Sequence, residues 1–333
     1  VSKEVINVRE NVGVTEVANF SKHEFKGPDA RKFLDHIMAG KLPKPGRISL
    51  TPMLTYRGKL YGDLTVACLD ENEFMVFGSG AAQEMHRRWF ESHLNKFNLQ
   101  YTNRSDEFHG LSIAGPKSRD LLQKIVREDV SNNSFKFRDS RKMFVAGVPA
   151  IVNRISFTGE LGYEIYVAPH FQLKLYEELT KAGKEFNIKP FGGRALMSMR
   201  LEKNWGAWTL DYRPDFTAKE TGLDIFINWN KDFIGKDSAQ KDKSKNKLVP
   251  LIVETNDIDV TYNEAVLKGE KSIGYITSGG FAHFVNKSVA FSYVDQNELK
   301  SEKGIQVEIN GDFFNCSIIK EPLYDPTGQK MRS

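Results

Sequence analysis

Phe74-Met75-Val76-Phe77-Gly78-Ser79-Gly80-Ala81-Ala82-Gln83 is the stretch on which the fold turns. An apolar run of strand character ends in a glycine-rich turn and a helix follows, the setting a dinucleotide-binding fingerprint requires. Gln83 stands where that fingerprint needs its third glycine, and the acids Asp106 and Glu107 lie beyond the usual spacing of about 20 residues. No clear repeated strand-helix-strand unit surrounds the stretch. It therefore reads as a strand-to-helix turn that brings backbone donors and Ser79 close to some other ligand.

Outward from this turn, helices carry their own punctuation. Pro28-Asp29-Ala30 opens one, with Phe33, Leu34 and Ile37 at helical spacing and Gly40 as its stop. Others run from about Ala81 to Phe97, from Pro116 through Leu121, Leu122 and Ile125, from Leu173 to Gly183, and from Arg194 to Leu201. Leu64 to Leu69, Phe74 to Phe77, Leu111 to Ala114 and Tyr163 to Val167 read as strands. The irregular alternation of the two patterns predicts an α+β fold rather than a regular parallel wind.

The hydrophilic run Gln240-Lys-Asp-Lys-Ser-Lys-Asn-Lys247 reads as a linker. From Leu248 to about Pro322 the pattern is strand-like with turns at Gly269, Gly279-Gly280 and Asn310-Gly311, which predicts a small all-β module. The expected division is 1–247 and 248–333. At 40% apolar and 27% charged residues the 333-residue chain is not a disordered one. Its net charge of +4 is scattered, which argues against a nucleic-acid partner. No run approaches the roughly 18 apolar residues of a membrane helix. Cys68 and Cys316 lie too far apart in sequence for a redox pair or zinc ribbon, so a reducing compartment is expected. Seven histidines form no HxH or HExxH pair, and no metal site is expected.

Several further segments, in order, carry a resemblance. They include Phe20-Ser-Lys-His-Glu-Phe-Lys-Gly-Pro-Asp-Ala30, Gly62-Asp63-Leu-Thr-Val66, Leu111-Ser-Ile-Ala-Gly-Pro-Lys-Ser-Arg119, Phe157-Thr-Gly-Glu-Leu-Gly-Tyr-Glu164, Met199-Arg-Leu-Glu202, Asp232-Phe-Ile-Gly-Lys236 and Glu321-Pro-Leu-Tyr-Asp-Pro326. Together they resemble the aminomethyltransferase (glycine-cleavage T-protein) family, and especially the folate-binding carboxy-terminal half of dimethylglycine and sarcosine dehydrogenases. The resemblance implies a three-subdomain cloverleaf around a funnel that binds tetrahydrofolate, with a β-barrel last. It implies transfer of a one-carbon unit, as aminomethyl, iminium or formaldehyde, to give 5,10-methylenetetrahydrofolate.

Asp63 matches the family's catalytic aspartate; a fixed carboxylate can stabilise the positive nitrogen of such a condensation and take its proton. Read alone, Asp63 is equally a turn carboxylate. Glu164 matches the glutamate that holds the pterin, whose adjacent N–H donors suit a two-oxygen acceptor. Phe157 stands where dehydrogenase-type relatives often have tyrosine, keeping a ring and losing the hydroxyl. Arg200 belongs to a helix in which Met197 replaces the family's aspartate; the arginine that often precedes that aspartate is Leu196 here, and Arg194 lies two residues earlier. Arg194 takes over folate contact or makes a salt bridge. Tyr324 borders the folate mouth or packs in the core.

The implied donor is a small methylated amine oxidised by a flavin domain or subunit, or an aminomethyl group on a lipoyl carrier protein. The expected location is the cytoplasm, or the mitochondrial matrix in a eukaryote. Two rivals remain: a folate-dependent S- or O-demethylase giving 5-methyltetrahydrofolate, and a non-catalytic folate-binding assembly factor, whose cysteine element is missing from Lys231-Asp-Phe-Ile-Gly-Lys236.

Overall fold

A computed structural model describes residues 1–255, 258–301 and 303–333. The strands form three units. Arg47–Leu54, Leu60–Asp70, Glu73–Ser79, Phe20–Lys26 and Gln100–Asn103 make a five-stranded antiparallel sheet in that order. A six-stranded sheet runs Ile188–Pro190, Val12–Glu16, His109–Ala114, Gly162–Val167, Val148–Asn153 and Ser140–Val145, with only its first pair parallel. The remaining six strands, from Asn246–Val253 to Asp312–Ile318, close into a barrel because the first of them pairs with both Lys287–Asp295 and Asp312–Ile318. The expected α+β architecture with a terminal β-barrel is what the chain adopts.

Alternation of side chains along each strand decides which face is core. Leu64, Val66 and Cys68 point to one side of the five-stranded sheet and pack with Phe33, Leu34 and Ile37 of the helix Ala30–Ile37 and with Phe90. Tyr163, Ile165 and Val167 likewise enter the core of the six-stranded sheet with Leu121, Leu122, Leu175 and Leu179. The opposite faces meet each other: Ala67, Met75 and Phe77 from one sheet pack with Val17, Ile151 and Tyr166 from the other. The barrel encloses Val249, Leu251, Val266, Ile276 and Val307.

The element boundaries refine the expectations. The helix predicted to stop at Gly40 ends at Ile37, because Met38 turns extended and bridges to Met53 while Gly40 bridges to Ile227. The long helix expected from Ala81 to Phe97 is α-helical over Gln83–His93, with a 3-10 turn on each side. The barrel begins at Asn246, two residues before the predicted start, since Asn246 and Lys247 pair through their backbones with Asp295 and Val294 while their side chains stay exposed.

A buried ionic hub ties the units together. Arg9, on the helix Ser2–Glu10, donates to Glu160 at 3.0 Å and to Glu202 at 2.6 Å, and its guanidinium lies 3.8 Å from the centre of the Tyr324 ring. The Tyr324 hydroxyl donates to Glu160, and Glu202 also accepts the backbone N–H of Phe284 in the barrel region. Lys203 donates to the carbonyls of Tyr324 and Asp325. One cation shared by two carboxylates is a geometry in which removing the cation costs far more than the pair contributes.

Candidate functional site

The same alternation that buries Leu64 and Val66 turns Asp63, Thr65 and Ala67 toward the six-stranded sheet, and on that sheet it turns Glu164 and Tyr166 back toward Asp63's face. Two carboxylates therefore stand on the facing sides of the two sheets. The connection can be followed residue by residue: Thr65 pairs with Phe77, Phe77 stacks on Tyr166 with centroids 4.7 Å apart, and the Tyr166 hydroxyl donates to Glu164 at 2.8 Å.

Both carboxylates are surrounded by protein yet keep a solvent-accessible surface, as expected at the floor of a funnel. Burial pushes the Asp63 carboxyl up to about 7, its own backbone amide offsetting this only in part. Burial also raises Glu164 to about 7, against the Tyr166 hydroxyl and the charge of Lys22. Neither has a salt-bridge partner among the described residues. Lys22 is fully buried, 5.8 Å from the Tyr166 ring centre, and donates to the Ala18 carbonyl at 2.5 Å; desolvation lowers it to about 8.

A loop from the helix Gly193–Glu202 closes the space on a third side. Trp205 stacks on Phe157 with centroids 5.9 Å apart. Tyr212 lies within electrostatic reach of Asp63, which with burial raises its phenol, and its hydroxyl accepts the Gly206 N–H. Tyr212 also lines a crevice of about 310 Å³ with Ala82, Met85, Trp208 and Arg213. Thr209 at its rim has φ 71°, a left-handed conformation that a β-branched residue adopts only under constraint. A space bounded by two near-neutral carboxylates and by aromatic faces can hold a flat heterocycle and move a proton beside it.

Two family matches follow the same layout: the GCVT N-terminal domain over residues 1–231 and the glycine cleavage T-protein C-terminal barrel domain over residues 246–325. The chain belongs to the glycine cleavage T-protein family. Human mitochondrial dimethylglycine dehydrogenase is 36% identical over 342 aligned residues, covering 100% of this chain and 39% of that protein. An aminomethyltransferase of Caldanaerobacter subterraneus is 30% identical, covering 97% of this chain and 87% of its own length. The solved glycine cleavage system aminomethyltransferase T of Bartonella henselae superimposes with a TM-score of 0.87 at 23% identity, over 97% of this chain and 89% of that one. The chain is thus an enzyme unit of the aminomethyltransferase type, and it spans about two fifths of the length of the dimethylglycine dehydrogenases it matches.

Within this T-protein fold the residues anticipated from sequence separate into two groups. Asp63 and Glu164 stand on the facing sides of the two sheets, Phe157 stacks on Trp205, and Ser79 ends the strand Glu73–Ser79 at the turn into the helix Gln83–His93. Arg200 does not present its charge to that space: it is buried, donating to Asp211 and to Ser278 of the barrel at 2.7 Å each. Tyr324 is likewise in the core, its hydroxyl taken by Glu160. Both placements have one cause, since each side chain is long enough to satisfy a buried acid of another segment, which sequence spacing does not reveal. Arg194 is exposed in the first turn of its helix, with no ion pair among the described residues, and shares its stripe with Ser198 and Leu201, which contact the barrel. Tyr166 and Lys22 went unmarked in the sequence. Tyr166 was signalled only by its i+2 spacing from Glu164.

Proposed function

We propose that this chain is a tetrahydrofolate-dependent one-carbon transferase that forms 5,10-methylenetetrahydrofolate. The observation that supports it best is the pair of half-buried carboxylates on facing sheets, neither with an ion-pair partner among the described residues. Bound tetrahydrofolate would supply N5 and N10, the nitrogens that take up the carbon. Glu164, already oriented by Tyr166, accepts the N–H edge of the pterin, and those donors favour its ionised form. Phe157 on Trp205 offers a ring face for contact. Asp63 stabilises the positive nitrogen created when an electrophilic carbon is added and removes its proton, a role suited to a carboxyl poised near neutrality. Arg194, exposed at the end of the barrel-facing stripe, meets the glutamyl tail of the folate.

The donor we propose is a small methylated amine oxidised by a flavin unit, because the dimethylglycine dehydrogenases that match are much longer than this chain; an aminomethyl group on a lipoyl carrier is the alternative that the aminomethyltransferases favour. The working location is the cytoplasm or the mitochondrial matrix. No described helix is long and apolar enough to cross a membrane.

Calorimetric titration with tetrahydrofolate tests the reading. Binding that Glu164→Ala weakens and Asp63→Ala preserves, with product formation lost only in a folate-bound Asp63→Ala protein, is the expected pattern. Absence of binding refutes it, and 5-methyltetrahydrofolate as the product by mass spectrometry replaces it with a demethylase.

A further inference from the structure

Beneath the strand that carries Asp63, on the face turned away from the funnel, lies a second polar cluster that the proposed reaction does not use. Ser21 and His23 of the strand Phe20–Lys26 are fully buried, and His86 of the helix Gln83–His93 is 1% exposed. Each leaves one polar atom without a protein partner: Ser21 Oγ, His23 Nε2 and His86 Nδ1. Burying a polar group without a hydrogen bond is costly, and three within one patch of core call for a shared partner.

The geometry brings two of these atoms, Ser21 Oγ and His86 Nδ1, close to one point, with the His23 ring beside them. Gly78 lies opposite Ser21 in the sheet, and a Cβ on Gly78 would stand 3.1 Å from Ser21 Oγ and 3.3 Å from His86 Nδ1. The same point lies 2.7 Å from Leu64 Cδ2, so only a residue without a side chain fits beside the two polar atoms. The two imidazoles meet edge to face with centroids 6.4 Å apart and make no hydrogen bond to each other. Phe90 packs at 5.0 Å from His23, and Leu64 borders Gly78, so the remaining walls are apolar.

The other nitrogen of each ring is already engaged, which sets what the cluster can accept. His86 Nε2 lies 2.9 Å from the Tyr61 carbonyl, so it carries the proton and Nδ1 is left as an acceptor. His23 Nδ1 lies 2.9 Å from the Tyr101 hydroxyl; with the phenol donating, His23 Nε2 bears a proton and is a donor. With the phenol donating, the three atoms offer one donor, one acceptor and one hydroxyl that can be either. Burial holds both rings neutral.

We propose that Ser21, His23 and His86 bind a single buried water molecule that accepts from His23 Nε2, donates to His86 Nδ1 and completes its contacts on Ser21 Oγ. Three polar partners are the usual number for an internal water. The hydrogen-bonded chain then runs unbroken from Tyr101 through His23, the water and His86 to the Tyr61 carbonyl. It joins three strands to a helix on the side of the sheet opposite Asp63.

A high-resolution crystal structure of the unaltered chain, with ¹⁵N spectra of its histidines at pH 7, tests this. The expected result is an ordered solvent peak within about 3.2 Å of all three atoms, with His86 in the Nε2–H tautomer. Gly78→Ala directs a methyl into the approach: the unprotonated Nδ1 resonance of His86 should move while the Nε2–H signal to Tyr61 persists. A structure in which Ser21 turns to a backbone carbonyl with no solvent peak, or a direct N–H···N bond between the rings, overturns the proposal. So does the Nδ1–H tautomer at His86. If Gly78→Ala does not fold, the unaltered chain decides the matter alone.

Discussion

Asp63→Asn should make the protein more stable above neutral pH while destroying its chemistry. The folded carboxyl titrates near 7 where the unfolded one titrates at 3.8, so holding it ionised costs the fold free energy at high pH. The full difference of about 3 units corresponds to about 4 kcal/mol. Asp63 keeps some contact with solvent, which screens its charge, so about 2 kcal/mol is the better expectation. The sign follows from proton binding: the raised carboxyl favours the fold below pH 4, and that contribution is lost as pH rises through 7. The amide has no such titration, so the variant's advantage opens between about pH 4 and 7 and is level above. With about 2.1 cal/mol/K of unfolding entropy per residue, the melting temperature should rise by about 3 °C at pH 8 and match the parent at pH 4. Calorimetric melting at both values measures it. A variant no more stable than the parent at pH 8, or equally stabilised at pH 4, refutes the claim that an ionised Asp63 is a liability of the fold.

Further outcomes follow from neighbouring groups. Glu164→Gln should weaken tetrahydrofolate binding by about tenfold or more by calorimetry, since a charge-assisted acceptor becomes a neutral one, and Tyr166→Phe should weaken it less. Arg9→Met leaves Glu160 and Glu202 buried without their cation and should cost about 3–5 kcal/mol, read as a lowered denaturant midpoint. Burial depresses His23 to about 3 and His86 to about 4 while each titrates at 6.5 when unfolded, so each should remove about 2 kcal/mol of stability between pH 7 and 5. Asp63 and Glu164 act in the opposite direction over that range, so the parent should vary little and Asp63→Asn/Glu164→Gln should lose stability steeply on acidification.

Elements with local punctuation were legible in the chain. Pro28 and the Phe33, Leu34, Ile37 spacing located a helix to within a few residues, and the alternation of Tyr163 to Val167 located a strand and the two faces it separates. Asp63 and Glu164 were legible through resemblance, while their common orientation required knowing which face of each sheet meets the other. The partners of Arg200 and Tyr324 were not legible, for one physical reason: Arg200 finds Asp211 and the barrel's Ser278, and Tyr324 finds Glu160 across 164 positions, contacts that no periodicity encodes. Arg9 was equally silent, one basic residue in a short amphipathic opening, although two acids far along the chain depend on it.

The place of Val12–Glu16 inside its sheet has a consequence for how the polypeptide acquires its shape on the ribosome. The five-stranded sheet draws all its strands from residues 20–103 and can form as soon as that length has emerged. Val12–Glu16 lies earlier in the chain yet needs His109–Ala114 on one edge and Ile188–Pro190 on the other. It must therefore wait unpaired through the synthesis of about 95 residues, and with one edge open through some 170, while its sheet is completed by contacts of high sequence separation. Valine-rich and exposed at its edges during that interval, this segment is where a nascent chain would be captured by a chaperone or paired wrongly with another copy.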